Sequence, residues 1–265
     1  MISVAVVGYA GRMGSAVVDA VTAAKDMEVV CGIDPFGGEA PFATYKSIDE
    51  ALQGSSFDVL VDFTQPSVVA KTLERALPAG VDCVVGTTGM SDDTLNALAA
   101  SAKPGTCLFY APNFTTGAVL MMEFAKAAAP YFPESEVIEF HHCNKKDAPS
   151  GTAVRTAQII SRSRDFTSVA PGAETEIDGY EGARGALVEG VPVHSVRSMG
   201  YVASQEVIFG SMGQTLTIRH DSWDRASYMP GVLLGIRSVG KCSGLVVGLE
   251  NFMAQRRTTC NNEPR

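Results

Sequence analysis

The chain lacks several features, and each absence excludes a class of protein. In its 265 residues there is no run of about 18 consecutive apolar side chains, so no segment reads as a membrane span. Its six cysteines, at 31, 83, 107, 143, 242 and 260, include no C-x-x-C pair. That scatter fits reduced thiols in a cytoplasmic protein better than a disulfide framework. The opening MISVAVVGYAGRMG has no basic stretch and only a short apolar run before its glycines, and reads as a first strand rather than an export signal. No basic stripe interrupts a net charge of −8, which argues against a nucleic-acid partner. Acidity does not exclude a small anionic ligand, because a few local donors override the global field at short range. Neither an internal repeat nor a low-complexity linker appears.

What is present is an ordinary globular balance, 46% hydrophobic and 19% charged, enough to fill a core in one large domain or two modest ones. Short apolar, β-branched runs at Ser3–Val7, Glu28–Ile33, Val59–Phe63, Cys83–Thr87 and Cys107–Ala111 alternate with helical spacing over Arg12–Ala23, Pro66–Pro78 and Ser91–Ala100. Strands that are apolar on both faces belong to a parallel sheet covered on both sides, so the first half predicts a doubly wound, Rossmann-type α/β fold. After Asn113 the rhythm changes. A helix over Thr116–Ala129, a strand over Glu136–His142 and a helix from Gly151 precede three strand-like runs, PVHSVRS, YVASQEVIFG and QTLTIRH. With no helix between them, these predict a second α+β domain on an open mixed sheet. The stretch from Asp165 to Gly190 reads as loop. A helix near Arg225–Val239 and the apolar GLVVGLENF follow, and the polar end, 254–265, reads as a flexible tail.

Two segments carry chemistry. The first is Gly8-Tyr9-Ala10-Gly11-Arg12-Met13-Gly14, which follows the first strand and opens a helix. Its glycines suit a tight turn, close backbone approach to a pyrophosphate and amides at a helix N-terminus. Asp34 ends the second strand about 20 residues further on, where a carboxylate accepts the ribose hydroxyls of a dinucleotide. The carboxylate would repel a 2′-phosphate and so points to NADH, whereas Arg12 would favour NADPH, and both cofactors stay open. Gly86-Thr87-Thr88-Gly89 and Ala111-Pro112-Asn113-Phe114 follow the fourth and fifth strands, at the carboxyl ends where such sheets bind ligands. Both are therefore placed to contact the nicotinamide end of the cofactor, the alternative being ordinary turn chemistry.

The second segment is His141-His142-Cys143-Asn144-Lys145-Lys146-Asp147-Ala148-Pro149-Ser150-Gly151-Thr152. A histidine can donate a proton near neutral pH, and Lys145 is a flexible ammonium able to meet a carboxylate. Pro149 keeps Ala148 out of helical geometry, and Ser150 opens a helix whose Gly151 and Thr152 amides, with the Thr152 hydroxyl, suit an anion. Adjacent residues of a strand point to opposite faces, so His141, His142 and Cys143 do not converge on a metal ion. Lys146 reads as a solvated charge, and His194 and His220 as structural.

These residues resemble the 4-hydroxy-tetrahydrodipicolinate reductase (dihydrodipicolinate reductase) family, through GYAGRMG, VDFTQP at Val61–Pro66, GTTG, APNF, HHCNKKDAPSGTA and IRHDSWDRASYMPGVLL. The resemblance implies hydride transfer from NADH or NADPH to a cyclic unsaturated dicarboxylate in lysine and diaminopimelate biosynthesis. It implies His141 as general acid, Lys145 on a substrate carboxylate, and Gly151 and Thr152 holding a carboxylate beside His142. It also implies a cytoplasmic homotetramer joined through the second domain's sheet. Its domain plan is a dinucleotide-binding part over 1–113 plus 224–253 and a substrate-binding part over 114–223. Many relatives carry a histidine where this chain has Asn144, and another in the strand where it has Ser204 and Gln205.

The alternatives are a related two-domain oxidoreductase or a cofactor-binding sensor that has lost turnover. A semialdehyde dehydrogenase needs a reactive cysteine at a helix start, which no cysteine here suggests. A sugar oxidoreductase has Glu-Lys-Pro after its fifth strand, where Ala111-Pro112-Asn113 lacks the lysine. The intact His141 and Lys145 argue against a sensor.

Overall fold

A computed structural model describes residues 1–165 and 182–253. The chain divides into two compact units, Met1–Thr116 with the chain from Arg225 onward, and Gly117–Asp224. The first unit opens with β1 (Ile2–Val7), α1 (Arg12–Ala23), β2 (Met27–Ile33), β3 (Ala43–Tyr45), α2 (Ile48–Gly54), β4 (Val59–Asp62), α3 (Pro66–Ala79), β5 (Asp82–Val85), α4 (Asp92–Ala100) and β6 (Cys107–Tyr110). The second holds α5 (Thr116–Ala128), β7 (Glu134–His141), α6 (Gly151–Arg162), β8 (Ala186–Val188), β9 (Val191–Arg197), β10 (Ala203–Ser211) and β11 (Gln214–Ser222). The chain then returns through a 3-10 turn, Arg225–Tyr228, to α7 (Met229–Val239) and β12 (Gly244–Val247) in the first unit.

The first unit is a seven-stranded sheet in the order β3-β2-β1-β4-β5-β6-β12, parallel throughout. Its strands are apolar on both faces because both are covered. Val7, Leu60 and Val85 form a core with Leu73 and Leu77 of α3 and Leu95 of α4. On the other face α7 lies close enough that a Cβ on Gly235 would stand 2.8 Å from the Phe109 ring. Helix starts follow local chemistry. Ser47 and Ser91 accept the amides of Glu50 and Thr94, Pro66 sits in the first turn of α3, and Gly80 ends that helix with φ 87°.

The second unit is a five-stranded mixed sheet, β11-β10-β7-β9-β8. β10 runs antiparallel to β7 and β11, β7 and β9 are parallel, and β8 closes the edge antiparallel to β9. Val137, Val193, Val207 and Phe209 are buried, as are Ala153, Ala157 and Ile160 of α6, which runs beside β7, β8 and β9.

The two-part α/β and mixed-sheet architecture read from the sequence is the one observed. Some elements differ. β3 and α2 were not anticipated, and β8 replaces part of the loop expected up to Gly190. The helix expected from Arg225 begins at Met229, after the 3-10 turn. The rest of that loop, 166–181, and the tail expected over 254–265 lie outside the described residues.

Candidate active site

The glycine loop sits where the strand order of the first sheet reverses, between β1 and β4. Gly8 takes φ +68°, and its amide donates to the Ile33 carbonyl at 2.7 Å. The chain then folds back so that the Gly11 amide donates to the Gly8 carbonyl at 2.9 Å. A Cβ on Gly14 would stand 2.0 Å from that carbonyl oxygen, and one on Gly11 3.1 Å from it. Only glycine at 14 lets α1 start this close to the end of β1. The cradle suits a pyrophosphate at a helix N-terminus, and these residues therefore fit a dinucleotide. Tyr9 turns down onto β2, its ring over Gly32 and its hydroxyl donating to the Gly38 carbonyl. Asp34 closes β2 with one carboxylate oxygen accepting the Phe36 amide at 2.9 Å, which fixes the group expected to meet the ribose. Arg12 is exposed.

A cleft of ≈ 370 Å³ opens beyond the loop, and Met13, Gly86, Thr87, Thr88 and Phe114 share its lining with Phe63 and Thr64. Gly86 is required, since a Cβ there would lie 1.9 Å from the Phe63 ring. Ala111 is buried just past β6, and the Asn113 side chain accepts the Thr115 amide at 2.8 Å. Beneath this rim lies Asp62, which sequence reasoning did not single out. It is fully buried, and its Oδ1 accepts the Thr64 amide at 2.8 Å, the Thr64 hydroxyl at 2.6 Å and the Thr87 hydroxyl at 3.2 Å. Burial pushes its carboxyl above the usual range against those hydrogen bonds. Asp62 thus ties together the turns after β4 and β5.

In the second unit the His141–Thr152 segment leaves β7 and enters α6. Ser150 caps α6, accepting the Ala153 amide at 3.2 Å, and the space beside Gly151 is open. Thr152 follows in the first turn. The Lys145 ammonium meets Asp147 at 2.8 Å, which holds the Asp147 carboxyl below its ordinary range. His142, Cys143 and Asn144 are exposed. His141 points its Nδ1 at Glu139, one pleat back on the same face of β7.

Glu139 and Arg197 were also missed. Glu139 is fully buried, and Arg197 grips it with a two-pronged contact at 2.7 and 3.0 Å. The same carboxylate accepts the Ser150 amide at 3.3 Å, while Arg197 donates to the Asp147 carbonyl at 2.8 Å. A signal was available: in ESEVIEFH, alternation puts a carboxylate on the buried face, where an unpaired charge is too costly to leave alone. Gln205, where relatives carry histidine, is buried and donates to the Thr156 hydroxyl at 2.7 Å.

The thiols offer no nucleophile in the sheet. Burial pushes Cys31 up to about 11 and Cys107 up to about 12, and it also pushes the Cys83 thiol well above its ordinary range. None therefore supplies the thiolate a semialdehyde dehydrogenase requires.

A glycine cradle at the switch point of a doubly wound sheet, with a histidine- and lysine-bearing segment on a mixed sheet, marks this chain as an NAD(P)-dependent oxidoreductase. Residues 2–114 match the family described as dihydrodipicolinate reductase, N-terminus, and residues 117–253 the one described as dihydrodipicolinate reductase, C-terminus. The chain belongs to the dihydrodipicolinate reductase family. It is 49% identical over 252 residues to the 4-hydroxy-tetrahydrodipicolinate reductase of Streptomyces coelicolor, covering 94% of this chain and 97% of the relative. The same enzyme of Nocardia farcinica is 48% identical over 254 residues, covering 95% and 98%. Among solved structures, a dipicolinate-bound dihydrodipicolinate reductase from Paenisporosarcina sp. TG-14 aligns with a TM-score of 0.85 at 40% identity, over 95% of this chain and 99% of that one. A probable dehydrogenase from Thermotoga maritima, 13% identical with a TM-score of 0.63 over 96% and 93%, shares the fold alone.

Proposed function

We propose that this chain reduces 4-hydroxy-tetrahydrodipicolinate to tetrahydrodipicolinate, a step of lysine and diaminopimelate biosynthesis. The observation that carries the reading is the family match over both units, and the histidine, lysine and helix start of the His141–Thr152 segment support it. The reaction consumes a hydride and a proton and releases water, since the product lacks the 4-hydroxyl group. NADH or NADPH, when bound, supplies the hydride.

The residues of the chain do the rest. The amides around Gly8, Gly11 and Gly14, with Arg12 and Met13, hold the pyrophosphate, and Asp34 takes the ribose hydroxyls. Gly86, Thr87, Thr88, Ala111, Asn113 and Phe114 border the nicotinamide end. Lys145, the amides of Gly151 and Thr152, and Ser150, with His142 beside them, hold the two carboxylates of the substrate. His141 donates the proton that balances the hydride. The cleft lined by Phe63, Met13 and Phe114 supports a flat ring at the nicotinamide position. We further assign the enzyme to the cytoplasm, and to a homotetramer formed through the outer face of the second unit's sheet, where Ile138, Phe140 and Ile208 are half-buried.

The test is oxidation of NADH and NADPH, followed at 340 nm, with freshly generated substrate. Rapid oxidation that depends on the substrate is expected, and His141→Ala and Lys145→Ala should each lower turnover at least ~100-fold while dinucleotide binding persists. Dinucleotide binding without any oxidation would overturn the reductase reading. Near-normal turnover in either variant would remove that residue's role.

A further inference from the structure

We infer that Glu139 and Arg197 are a positioning pair for the acid–base histidine: Glu139 fixes the His141 ring with its proton on Nδ1, and Arg197 locks that carboxylate to the loop carrying Lys145. The inference rests on the proposed role of His141 as proton donor and adds two residues that act through it.

Register explains the geometry. Glu139 and His141 are two residues apart on β7 and share a face, and Arg197 is the cross-strand partner of His141 on β9. Glu139 therefore reaches His141 along its own strand and Arg197 diagonally across the sheet. Its Oε2 faces His141 Nδ1 and Arg197 Nη1, the latter at 3.0 Å, and its Oε1 accepts Arg197 Nη2 at 2.7 Å and the Ser150 amide at 3.3 Å. The same Arg197 Nη2 donates to the Asp147 carbonyl at 2.8 Å. Strand β7, strand β9 and the start of α6 thus meet on the Glu139 carboxylate, and Arg197 ties the Lys145 loop to it.

The chemistry follows from which groups can donate. A carboxylate only accepts, so the hydrogen between Glu139 and His141 belongs to Nδ1. The neutral ring is then held as the Nδ1–H tautomer, and Nε2, on the far side of the ring, is left to exchange the proton. In the transfer the Nε2–H bond breaks, its electron pair stays on Nε2, and the proton goes to the reduced substrate. Solvent later restores it. Burial opposes ionisation of Glu139, but hydrogen bonds from His141, Arg197 and Ser195 outweigh it and hold the carboxyl down to about 2, so it keeps its charge throughout the working range.

The experiment pairs steady-state kinetics with nitrogen NMR of protein labelled at its histidine rings, recorded where the His141 ring is neutral. The wild-type ring should carry its proton on Nδ1. Glu139→Gln should lower kcat at least ~10-fold with little change in NADH affinity, and shift the ring towards the Nε2–H form. Arg197→Lys, which keeps the charge but not the fork, should lower kcat as well. Normal kcat in Glu139→Gln, or a wild-type ring protonated on Nε2, overturns the proposal. Should Glu139→Gln fail to fold, the wild-type spectrum and Arg197→Lys decide it: normal kcat in the lysine variant then overturns it. Near-normal turnover of His141→Ala would sink the proton-donor reading and this role with it. That is told apart from failure at Glu139 alone, where His141→Ala is inactive and Glu139→Gln is not.

Discussion

A carboxylate shut away from water stays charged only where hydrogen bonds outweigh its lost hydration, and Glu139 meets that condition through His141, Arg197, Ser195 and the Ser150 amide. The consequence for stability has a definite sign. Its folded value of about 2 lies below the ordinary 4.5, so the stabilisation is complete above pH 4.5 and is lost as pH falls towards 2. The size is on the order of 3 kcal/mol. In urea unfolding at neutral pH, Glu139→Gln should therefore be less stable than the wild type by about that amount, and the gap should close as the pH drops through this window. A gap that stays constant would mean that ionisation of Glu139 contributes nothing. His141, Lys145 and the Ser150 cap were legible in the sequence because their chemistry is local to one string. Glu139, Arg197 and Asp62 were not, because each acquires its role from strand register or from a neighbouring turn.

At the scale of elements, the same contrast separates what composition announces from what contact decides. Every strand of four or more residues in the first sheet except β12 was readable as a bounded apolar run, since burial on both faces leaves no other pattern. The three-residue β3 and seven-residue α2 are too short to show a period, and β8 is an exposed three-residue edge. The glycine spacing was equally plain, but not which glycine is indispensable. Gly14 is, because its missing Cβ is what lets α1 meet the Gly8 carbonyl, whose oxygen would stand only 2.0 Å from a Cβ there. Gly14→Ala should weaken NADH binding more than ~10-fold and destabilise the fold by about 1–3 kcal/mol, the usual range for overpacking. Gly240 is the opposite case. It ends α7 in right-handed helical geometry, φ −64° and ψ −2°, and a Cβ there would meet nothing nearer than 3.8 Å. Gly240→Ala should raise stability by about 0.4–1 kcal/mol by restricting the unfolded chain, with NADH affinity unchanged. Isothermal titration and thermal melts of the two variants check both, and equal effects would show that close contact at Gly14 is not what matters.

At the scale of the whole molecule, two cores in one chain give two places where a ligand can add stability. A ligand that binds only the native form stabilises it by about 2.7 kcal/mol at a hundred times its dissociation constant, and does so where it binds. With the dinucleotide assigned to the first unit and the dicarboxylate to the second, each alone should leave its own trace in amide hydrogen exchange. NADH should slow exchange most in the loops after β1, β4 and β5, around Gly8, Thr64 and Thr87. Dipicolinate, as a planar dicarboxylate, should slow it most from His142 through Thr152, where the amides at the start of α6 would bond a carboxylate instead of water. The two patterns differ because the ligands bond different amides, whereas a general tightening of the fold would slow both regions with either ligand. Protection of His142–Thr152 by NADH, with none around Gly8, would reverse the assignment of ligands to units. Protection by dipicolinate nowhere in the second unit would remove Gly151 and Thr152 from the carboxylate site and leave His141 and Lys145 without a substrate to act upon.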